Sequence, residues 1–272
     1  MRGVMILQSK YVMVGNIRTH YLEAGSGEPL VLLHSGEYGG SAQNSWENNI
    51  EELSKHFHVY ALDMIGYGYT DKLFSFDDAH ALRLNHIRDF LNVMCIEEAS
   101  FIGNSLGGGM ILSVAAQEQP IWPIKKIITI SGGGPNNPAG HDILNNYDCT
   151  KEYMQKILDI LFYDEKWKSG EYLDQRYESS IIPGAWETAS AARLKSPVGQ
   201  EKERVLPNYG NVEVPVLICA GDYDTLKFPD YAEKLNSSLS NSNVKMFEKC
   251  SHSAHIEYAE QFNELALEFL LK

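Results

Sequence analysis

The residues best suited to chemistry in this 272-residue chain lie in the pentapeptide Gly103-Asn104-Ser105-Leu106-Gly107. An apolar run at residues 99–102 precedes it, and a stretch with helical character at residues 106–116 follows it. A serine flanked by glycines at a tight turn between a strand and a helix is typical of a nucleophile elbow. The partial positive charge at the helix N-terminus favours an anion that develops there. This pattern predicts Ser105 as a nucleophile.

A serine hydroxyl becomes a good nucleophile when a base takes its proton, and a third group must orient that base. Downstream of Ser105, an apolar strand at residues 214–220 leads into Gly221-Asp222-Tyr223-Asp224. A second strand, at residues 243–247, leads into a loop that contains His252. The order predicts a catalytic triad of Ser105, Asp224 and His252. Asp224 is preferred to Asp222 because the acid usually follows the turn by a few residues, and Asp222 is predicted to cap that turn.

Hydrolysis through a tetrahedral intermediate also needs two backbone N–H donors for the oxyanion. Leu106, directly after the nucleophile, is predicted to supply one. The other is expected from the glycine-containing loop that starts at His34, with Gly36 preferred to Ser35. His34 itself is predicted to order this loop, and His255 to be a partly buried neighbour of the base. A second small-residue turn, at residues 66–71, is predicted to be structural.

Short apolar runs alternate with amphipathic stretches, which predicts an α/β fold with a mostly parallel central sheet and helices on both faces. Residues 11–14 and 17–24 are expected to form an opening hairpin. Further strands are expected at residues 29–34, 58–64 and 126–130, and helices at residues 76–95 and 255–271.

No convincing strand occurs between residues 135 and 210, where three helices are predicted instead, at residues 151–162, 170–179 and 184–194, with breaks at Pro183 and Pro197. A helical insertion of this kind, after the sixth strand, is expected to form a cap over the strand ends, where such sheets bind ligands. The predicted domains are therefore a core of residues 1–134 and 211–272 and a cap of residues 135–210.

Composition and charge exclude several classes of partner. The formal net charge of −13 argues against nucleic acid or an anionic membrane surface. Residues 1–7 carry too short an apolar run for a signal peptide, and no stretch reaches the ~18 apolar residues of a membrane span. The four cysteines lack CxxC spacing, which predicts free thiols in a reducing cytoplasm and neither metal nor cofactor. A small-molecule substrate is expected, and a homo-oligomer is left open.

From residue 10 to its end, the chain resembles the α/β-hydrolase superfamily. Within it, the chain is most similar to the meta-cleavage product hydrolases, which break a carbon–carbon bond in dienoate products of aromatic ring cleavage. The similarity lies in residues 103–109, with Asn104 before the nucleophile, in the loop after His34, in the segment at residues 173–178 and in residues 249–252. The resemblance implies that Arg176 binds the substrate carboxylate and that Asn104 helps to hold an enol oxygen. Ser35 is also assigned to substrate binding.

The sequence departs from this family at substrate-facing places. The family loop usually reads H-G-G-G-P-G, whereas Ser35, Glu37 and Tyr38 interrupt it here. Ser253 stands where the family commonly has Trp, and Ser45, with Asn44 beside it, stands where an asparagine is expected.

Three functions therefore stay open: a carbon–carbon bond hydrolase, which leads; an ester, lactone or thioester hydrolase; and a non-catalytic ligand-binding protein. If Arg176 binds a substrate carboxylate, it is expected to point toward Ser105 and to have no carboxylate partner of its own. A position on the outer face of the cap, or pairing with Glu178 or Asp174, would favour the ester hydrolase instead.

Overall fold

Eight strands and eleven α-helices form the part of the chain that the computed structural model describes, namely residues 7–191, 193 and 207–272. The strands are β1 (Gln8–Val14), β2 (Ile17–Gly25), β3 (Pro29–Leu33), β4 (His58–Leu62), β5 (Ala99–Asn104), β6 (Ile124–Ile130), β7 (Val216–Gly221) and β8 (Ser242–Phe247). The helices are α1 (Ala42–Trp46), α2 (Ile50–Leu53), α3 (Ala79–Val93), α4 (Leu106–Ala115), α5 (Pro138–Asn145), α6 (Lys151–Leu161), α7 (Gly170–Ser180), α8 (Ala185–Ala191), α9 (Tyr231–Ser238), α10 (Ala254–Glu257) and α11 (Ala259–Leu270).

The strands form one sheet in the order β1-β2-β4-β3-β5-β6-β7-β8. β1 and β2 form the predicted hairpin, and β2 is also antiparallel to β4. All the remaining neighbours are parallel. The predicted fold class is confirmed. Because the parallel strands all end at the same edge, the loops that follow β3, β5, β6, β7 and β8 come together there.

Helices cover both faces of the sheet, and the alternation of side chains along β3 shows how. Val31 and Leu33 belong to a buried cluster with α3, α4 and α9. Leu30 and Leu32 belong to a second cluster with α1, α2 and α11. All four β3 side chains are fully buried, as expected for the interior strand of a sheet that is covered on both sides.

The chain between β6 and β7 carries α5 to α8 and no strand among its described residues. α6 and α7 end within one residue of their predicted bounds, whereas α5 was not predicted. The third helix was predicted to extend to residue 194 and to be followed by a break at Pro197, and both positions lie outside the described residues. The assignment of residues 135–210 to a cap therefore stays a prediction. A third buried cluster joins these helices to Tyr38, Leu226 and Ile256 of the sheet domain.

The C-terminal helix differs from the single helix predicted at residues 255–271. It is divided into α10 and α11 at Tyr258, whose backbone (φ −124°, ψ 47°) is not helical. The division lets α10 pack on α1 while α11 follows the sheet.

The tightest packing lies where β5 meets α4. A β-carbon on Gly107 would lie 2.4 Å from the carbonyl oxygen of Leu33, and one on Gly103 would lie 2.5 Å from the backbone of Gly107. A β-carbon on Gly108 would meet Thr129 Oγ1 at 2.3 Å. The glycines of the pentapeptide are therefore required by contact between the backbones of neighbouring strands and the helix.

Gly107→Ala should destabilise the protein by roughly 3 kcal/mol or more, because the obstructing atoms belong to backbone in the centre of the sheet. Gly109→Ala is the matched control: it lies in the same helix, and its β-carbon would come no closer than 3.6 Å to another atom. It should be neutral or stabilise by up to about 1 kcal/mol, because alanine is the better helix former. Thermal unfolding measures both, and equal melting temperatures for the two variants would contradict the packing argument.

Candidate active site

Ser105 lies at the carboxyl end of β5 with a left-handed backbone conformation (φ 50°, ψ −107°). Its N–H donates to the carbonyl of Ile130 on β6 at 2.8 Å, and its carbonyl accepts from Gly109 N–H in α4. A non-glycine residue adopts such a backbone only where the surroundings hold it there, and such strain concentrates at functional sites. The half-buried side chain lies at the loop edge of the sheet, as the predicted elbow requires.

His252 and Asp224 form a buried hydrogen-bonded pair in the loops after β8 and β7. His252 Nδ1 lies 2.8 Å from Asp224 Oδ2, and each side chain is 2% exposed. The other carboxylate oxygen accepts the N–H of Leu226 at 3.0 Å. Burial alone would raise the pKa of Asp224, but the His252 ring beside it holds that pKa below its ordinary value. An ionised Asp224 fixes the proton on Nδ1, which leaves Nε2 as the basic nitrogen.

Asp222 is turned away from this pair. Its residue is exposed, and its Oδ1 accepts the N–H of Cys250 at 3.2 Å. It therefore caps the turn, and the structure pairs His252 with Asp224 instead. The catalytic roles of Ser105, Asp224 and His252 stay predictions.

The two predicted oxyanion donors are close neighbours. A β-carbon on Gly36 would lie 2.8 Å from the Leu106 side chain, so the two residues pack directly against each other. His34 fixes the loop: its Nδ1 donates to the Ser35 carbonyl at 2.6 Å, and its Nε2 accepts the N–H of Met64 at 3.0 Å. Burial lowers the pKa of His34, which keeps this ring neutral. These contacts show that His34 orders the loop, as the sequence predicts.

Asn104 is bonded to the backbone on both sides of the site. Its side chain is buried, and its Nδ2 donates to two backbone carbonyls, those of Ile130 and His252, each at 3.1 Å. Both amide hydrogens are therefore used within the protein, where they fasten the loop of His252 to β5 and β6. The role of Asn104 in holding a substrate enol oxygen stays a prediction.

Arg176 is buried, as a substrate-facing residue would be, but it has a carboxylate partner. Its Nη2 lies 2.5 Å from Glu37 Oε1, and the two side chains are 1% and 5% exposed. Burial alone would raise the pKa of Glu37, but the Arg176 guanidinium lowers it to about 2. The expectation of an unpaired Arg176 is therefore wrong, since the residue that interrupts the family loop supplies its counter-ion.

Ser35 was assigned to substrate binding, and this role stays a prediction. It is buried beside Glu37, where its side chain contributes to lowering the pKa of that carboxyl group. Ser35 thereby helps to hold the counter-ion of Arg176. His255, predicted to be partly buried, is fully buried against Trp46 at 4.5 Å between ring centroids. Burial lowers its pKa to about 3, so the ring stays neutral.

Two further side chains near the triad, those of His141 and Arg193, were not predicted from the sequence. His141 lies in α5, and its buried Nε2 has no hydrogen-bond partner among the described residues. Burial lowers the pKa of His141, and the nearby His252 lowers it further. Arg193 lies after α8, with its guanidinium carbon 4.4 Å from the centre of the Tyr38 ring. Its Nη2 donates to the carbonyl of Gly36 at 3.3 Å, and its Nη1 to that of Ala189.

The cap region is bonded directly to the loop of His252. The backbone N–H of His252 donates to the carbonyl of Leu161 at 3.1 Å, and the Ser251 hydroxyl donates to that of Ile160 at 2.9 Å. Glu257 accepts the N–H of Ser251 through one oxygen and those of Tyr163 and Asp164 through the other. The end of α6 and the base of the triad are therefore held as one unit.

The described residues contain no group of three or more His, Cys, Asp or Glu side chains arranged to hold a metal ion. Over the same part of the chain, no helix has the length and apolar character needed to cross a membrane. The four cysteines are free thiols.

Asp224→Asn should lower kcat by about 10³–10⁴-fold, because an amide at this position favours the wrong tautomer of His252. Asp222→Asn is the control, because its amide oxygen can still accept the N–H of Cys250, and it should cost less than tenfold. Steady-state hydrolysis of a p-nitrophenyl ester measures both. The opposite ranking would assign the acid to Asp222.

Asn104→Ala should slow ester and carbon–carbon hydrolysis by the same factor, because its amide positions the His252 loop for both reactions. The buried carbonyl of His252 loses this donor and that of Ile130 keeps only the N–H of Ser105, which should cost about 1–3 kcal/mol of stability. Asn263→Ala is the control: this buried amide donates to the Asn48 carbonyl, away from the triad, and should lower stability without lowering kcat. Selective loss of carbon–carbon cleavage in Asn104→Ala would instead place its side chain on the substrate.

Comparisons with known proteins show the family to which the chain belongs. Residues 30–265 match the model of the alpha/beta hydrolase family. The 2-hydroxy-6-oxo-6-(2'-aminophenyl)hexa-2,4-dienoic acid hydrolase of Metapseudomonas resinovorans is 29% identical over 265 residues, which cover 96% of this chain and 90% of the relative. The 2-hydroxymuconate semialdehyde hydrolase of Pseudomonas sp. (strain CF600) is 26% identical over 268 residues, with coverage of 95% and 92%.

Solved structures of hydrolases superpose closely on this chain. A meta-cleavage product hydrolase from Pseudomonas fluorescens IP01 superposes with a TM-score of 0.85 at 26% identity, covering 96% of this chain and 97% of the other. A hydrolase of Rhodococcus sp. strain RHA1 superposes with a TM-score of 0.86 at 21% identity, which bears on the fold alone. By the family match over most of its length, the chain belongs to the alpha/beta hydrolase family and is a hydrolase.

Proposed function

We propose that this enzyme hydrolyses a carbon–carbon bond in a vinylogous 1,5-diketone acid of the 2-hydroxy-6-oxo-dienoate type. The similarity to hydrolases of such acids, over at least nine-tenths of both chains, carries the proposal. The elbow serine and the buried pair of His252 with Asp224 supply the nucleophile, base and orienting acid that this reaction requires.

The chemistry follows from the positions of these groups. The dienol substrate first becomes the keto form, so that the bond to be broken is linked through a carbon–carbon double bond to a ketone that can accept its electrons. Ser105 Oγ then attacks the other ketone while His252 Nε2 takes its proton, and the N–H groups of Gly36 and Leu106 stabilise the oxyanion. Cleavage releases a carbanion that takes up a proton, and water then hydrolyses the acyl-serine to a carboxylic acid.

Ester hydrolysis is the second candidate, and two observations favour it. Glu37 neutralises Arg176, and the Asn104 amide hydrogens are used by backbone carbonyls. The two residues expected to separate carbon–carbon from ester chemistry are thus occupied within the protein. An ester, lactone or thioester needs only the triad and the oxyanion donors, which both reactions share.

A substrate panel separates the two candidates. We expect kcat/KM for a 2-hydroxy-6-oxo-dienoate to exceed that for p-nitrophenyl acetate, butyrate and octanoate by at least tenfold. Ser105→Ala should lower kcat for every active substrate by about 10⁴-fold or more, because the triad acts as a unit. Spectrophotometric turnover of each compound is the measurement. Hydrolysis of the esters without cleavage of the dienoate would leave ester hydrolysis as the function.

A further inference from the structure

We propose that Ser9 is a second nucleophile of this protein and accepts the acyl group of a small activated ester. Ser9 lies in β1, and three strands separate β1 from β5 in the sheet, so this site is distinct from the elbow at Ser105. The inference does not rest on the proposed function. It follows from a chain of side-chain contacts that the reaction at Ser105 does not use.

Ser9, His20 and Asp63 form a continuous chain of hydrogen bonds. Ser9 Oγ lies 2.8 Å from His20 Nε2, and His20 Nδ1 lies 2.6 Å from Asp63 Oδ2. The second distance is close to the 2.8 Å between His252 Nδ1 and Asp224 Oδ2. The residue types, the ring nitrogens used and the order of the contacts are those of a nucleophile, a base and an orienting acid.

The charge of Asp63 sets the direction of the protons in this chain. The side chains of His20 and Asp63 are both buried. Burial alone would raise the pKa of Asp63, but the His20 ring beside it holds that pKa below its ordinary value. An ionised carboxylate can only accept, so Nδ1 of His20 carries the proton. Nε2 of the neutral ring then accepts the O–H of Ser9, as a general base must.

His20 and Asp63 are held in place without help from Ser9. The carbonyl of His20 accepts the N–H of Asp63 at 3.1 Å. The Asp63 carboxylate accepts the N–H groups of Ala42 at 2.7 Å and Tyr69 at 2.8 Å. Base and acid are thus preorganised. Seven residue pairs join β1 to β2, so loss of the Ser9 hydroxyl to a reaction would leave the hairpin in place.

The backbone of Ser9 faces the open edge of the sheet. His20, which lies opposite Tyr11 in the register, donates its N–H to Thr70 Oγ1 and accepts the N–H of Asp63. Tyr11 and His20 are therefore a non-hydrogen-bonded pair, and Ser9, two residues along β1, has the same backbone direction as Tyr11. Because β1 is the first strand in the sheet order, the N–H of Ser9 is directed outward, where it can donate to the oxyanion of an acyl intermediate.

Exposed aromatic rings beside His20 offer a surface for the ester. The His20 ring lies 5.0 Å from the Tyr11 ring and 5.3 Å from the Tyr69 ring, and these tyrosines are 44% and 58% exposed. Ser9 is also exposed, and its side chain projects from the same face of β1 as that of Tyr11. The chemistry of this surface therefore suits an aryl or short alkyl ester.

In the proposed step, Ser9 Oγ attacks the carbonyl carbon of the ester and passes its proton to His20 Nε2. The bond from Oγ to carbon forms as the bond to the alkoxide or phenolate breaks, and this leaving group takes the proton from His20. Asp63 stays ionised throughout. The N–H of Ser9 is a single oxyanion donor, whereas two are predicted for Ser105. We therefore expect Ser9 to react about 10²–10³-fold more slowly than Ser105.

The test uses the Ser105→Ala variant, in which the elbow serine cannot react, at pH 8 with diisopropyl fluorophosphate. This probe reports an activated serine, because an Oγ–P bond forms as fluoride leaves and the product is stable. Mass spectrometry of tryptic peptides over time gives the occupancy of each serine. Ser113 is the matched control: its Oγ lies 3.3 Å from His80 Nε2 but donates to the Met110 carbonyl at 2.8 Å.

We expect Ser9 to be labelled at least about 100-fold faster than Ser113, because a positioned base contributes about 10²–10⁴-fold. The double variant Ser105→Ala, His20→Asn should lose that factor at Ser9, and thermal unfolding checks that it is folded. Equal labelling rates at Ser9 and Ser113, a comparison that needs no second variant, would overturn the proposal. Undiminished labelling of Ser9 in the folded double variant would overturn it as well.

Discussion

The backbone of Ser105 is held in a conformation that costs about 1–3 kcal/mol, and the surrounding structure is built to maintain it. Three glycines let β3, β5 and β6 approach α4 until their backbones touch, and Ile130 accepts the N–H of Ser105. No side chain could replace these contacts. Because β3, β5, β7 and β8 end at the same edge, the loop that starts at His34 and the residues Ser105, Asp224 and His252 all lie at that edge.

The two buried charged pairs near Ser105 differ in whether a proton moves. Asp224 and His252 form a pair in which His252, the predicted base, must gain and lose a proton. Glu37 and Arg176 form a pair that stays ionised, and burying it costs desolvation that the ion pair must offset. Since the pKa of Glu37 falls from 4.5 to about 2 on folding, its stabilisation is complete above pH 4.5 and is lost as the pH falls toward 2. This pair joins α7 to the oxyanion loop.

The sequence was sufficient for features with local signals. The elbow, the order Ser105-Asp224-His252 and the alternation of strands and helices all follow from short patterns, which predicted the fold and the pairing of His252 with Asp224. The pairing of Arg176 with Glu37 could not be predicted in this way, because the two residues are 139 positions apart. The acceptors of Asn104 could not be predicted either, because they are backbone carbonyls, which every residue type has. The helix α5 was not predicted, although its start has a local signal: the Asn137 side chain accepts the N–H of Ala139 as the N-cap, and Pro138 follows it. Its Gly140 lies so close to the backbone of Thr225 that a β-carbon would meet the carbonyl oxygen at 2.4 Å.

The bonds between α6 and the loop of His252 bear on how such an enzyme can evolve. From the cap side, Ile160, Leu161, Tyr163 and Asp164 contribute only backbone groups, whereas the specific side chains, those of Ser251 and Glu257, lie in the sheet domain. Any sequence that ends a helix at the same point can supply the backbone groups. The cap side chains can therefore diverge between relatives, and substrate preference with them, while the base of the triad keeps its position.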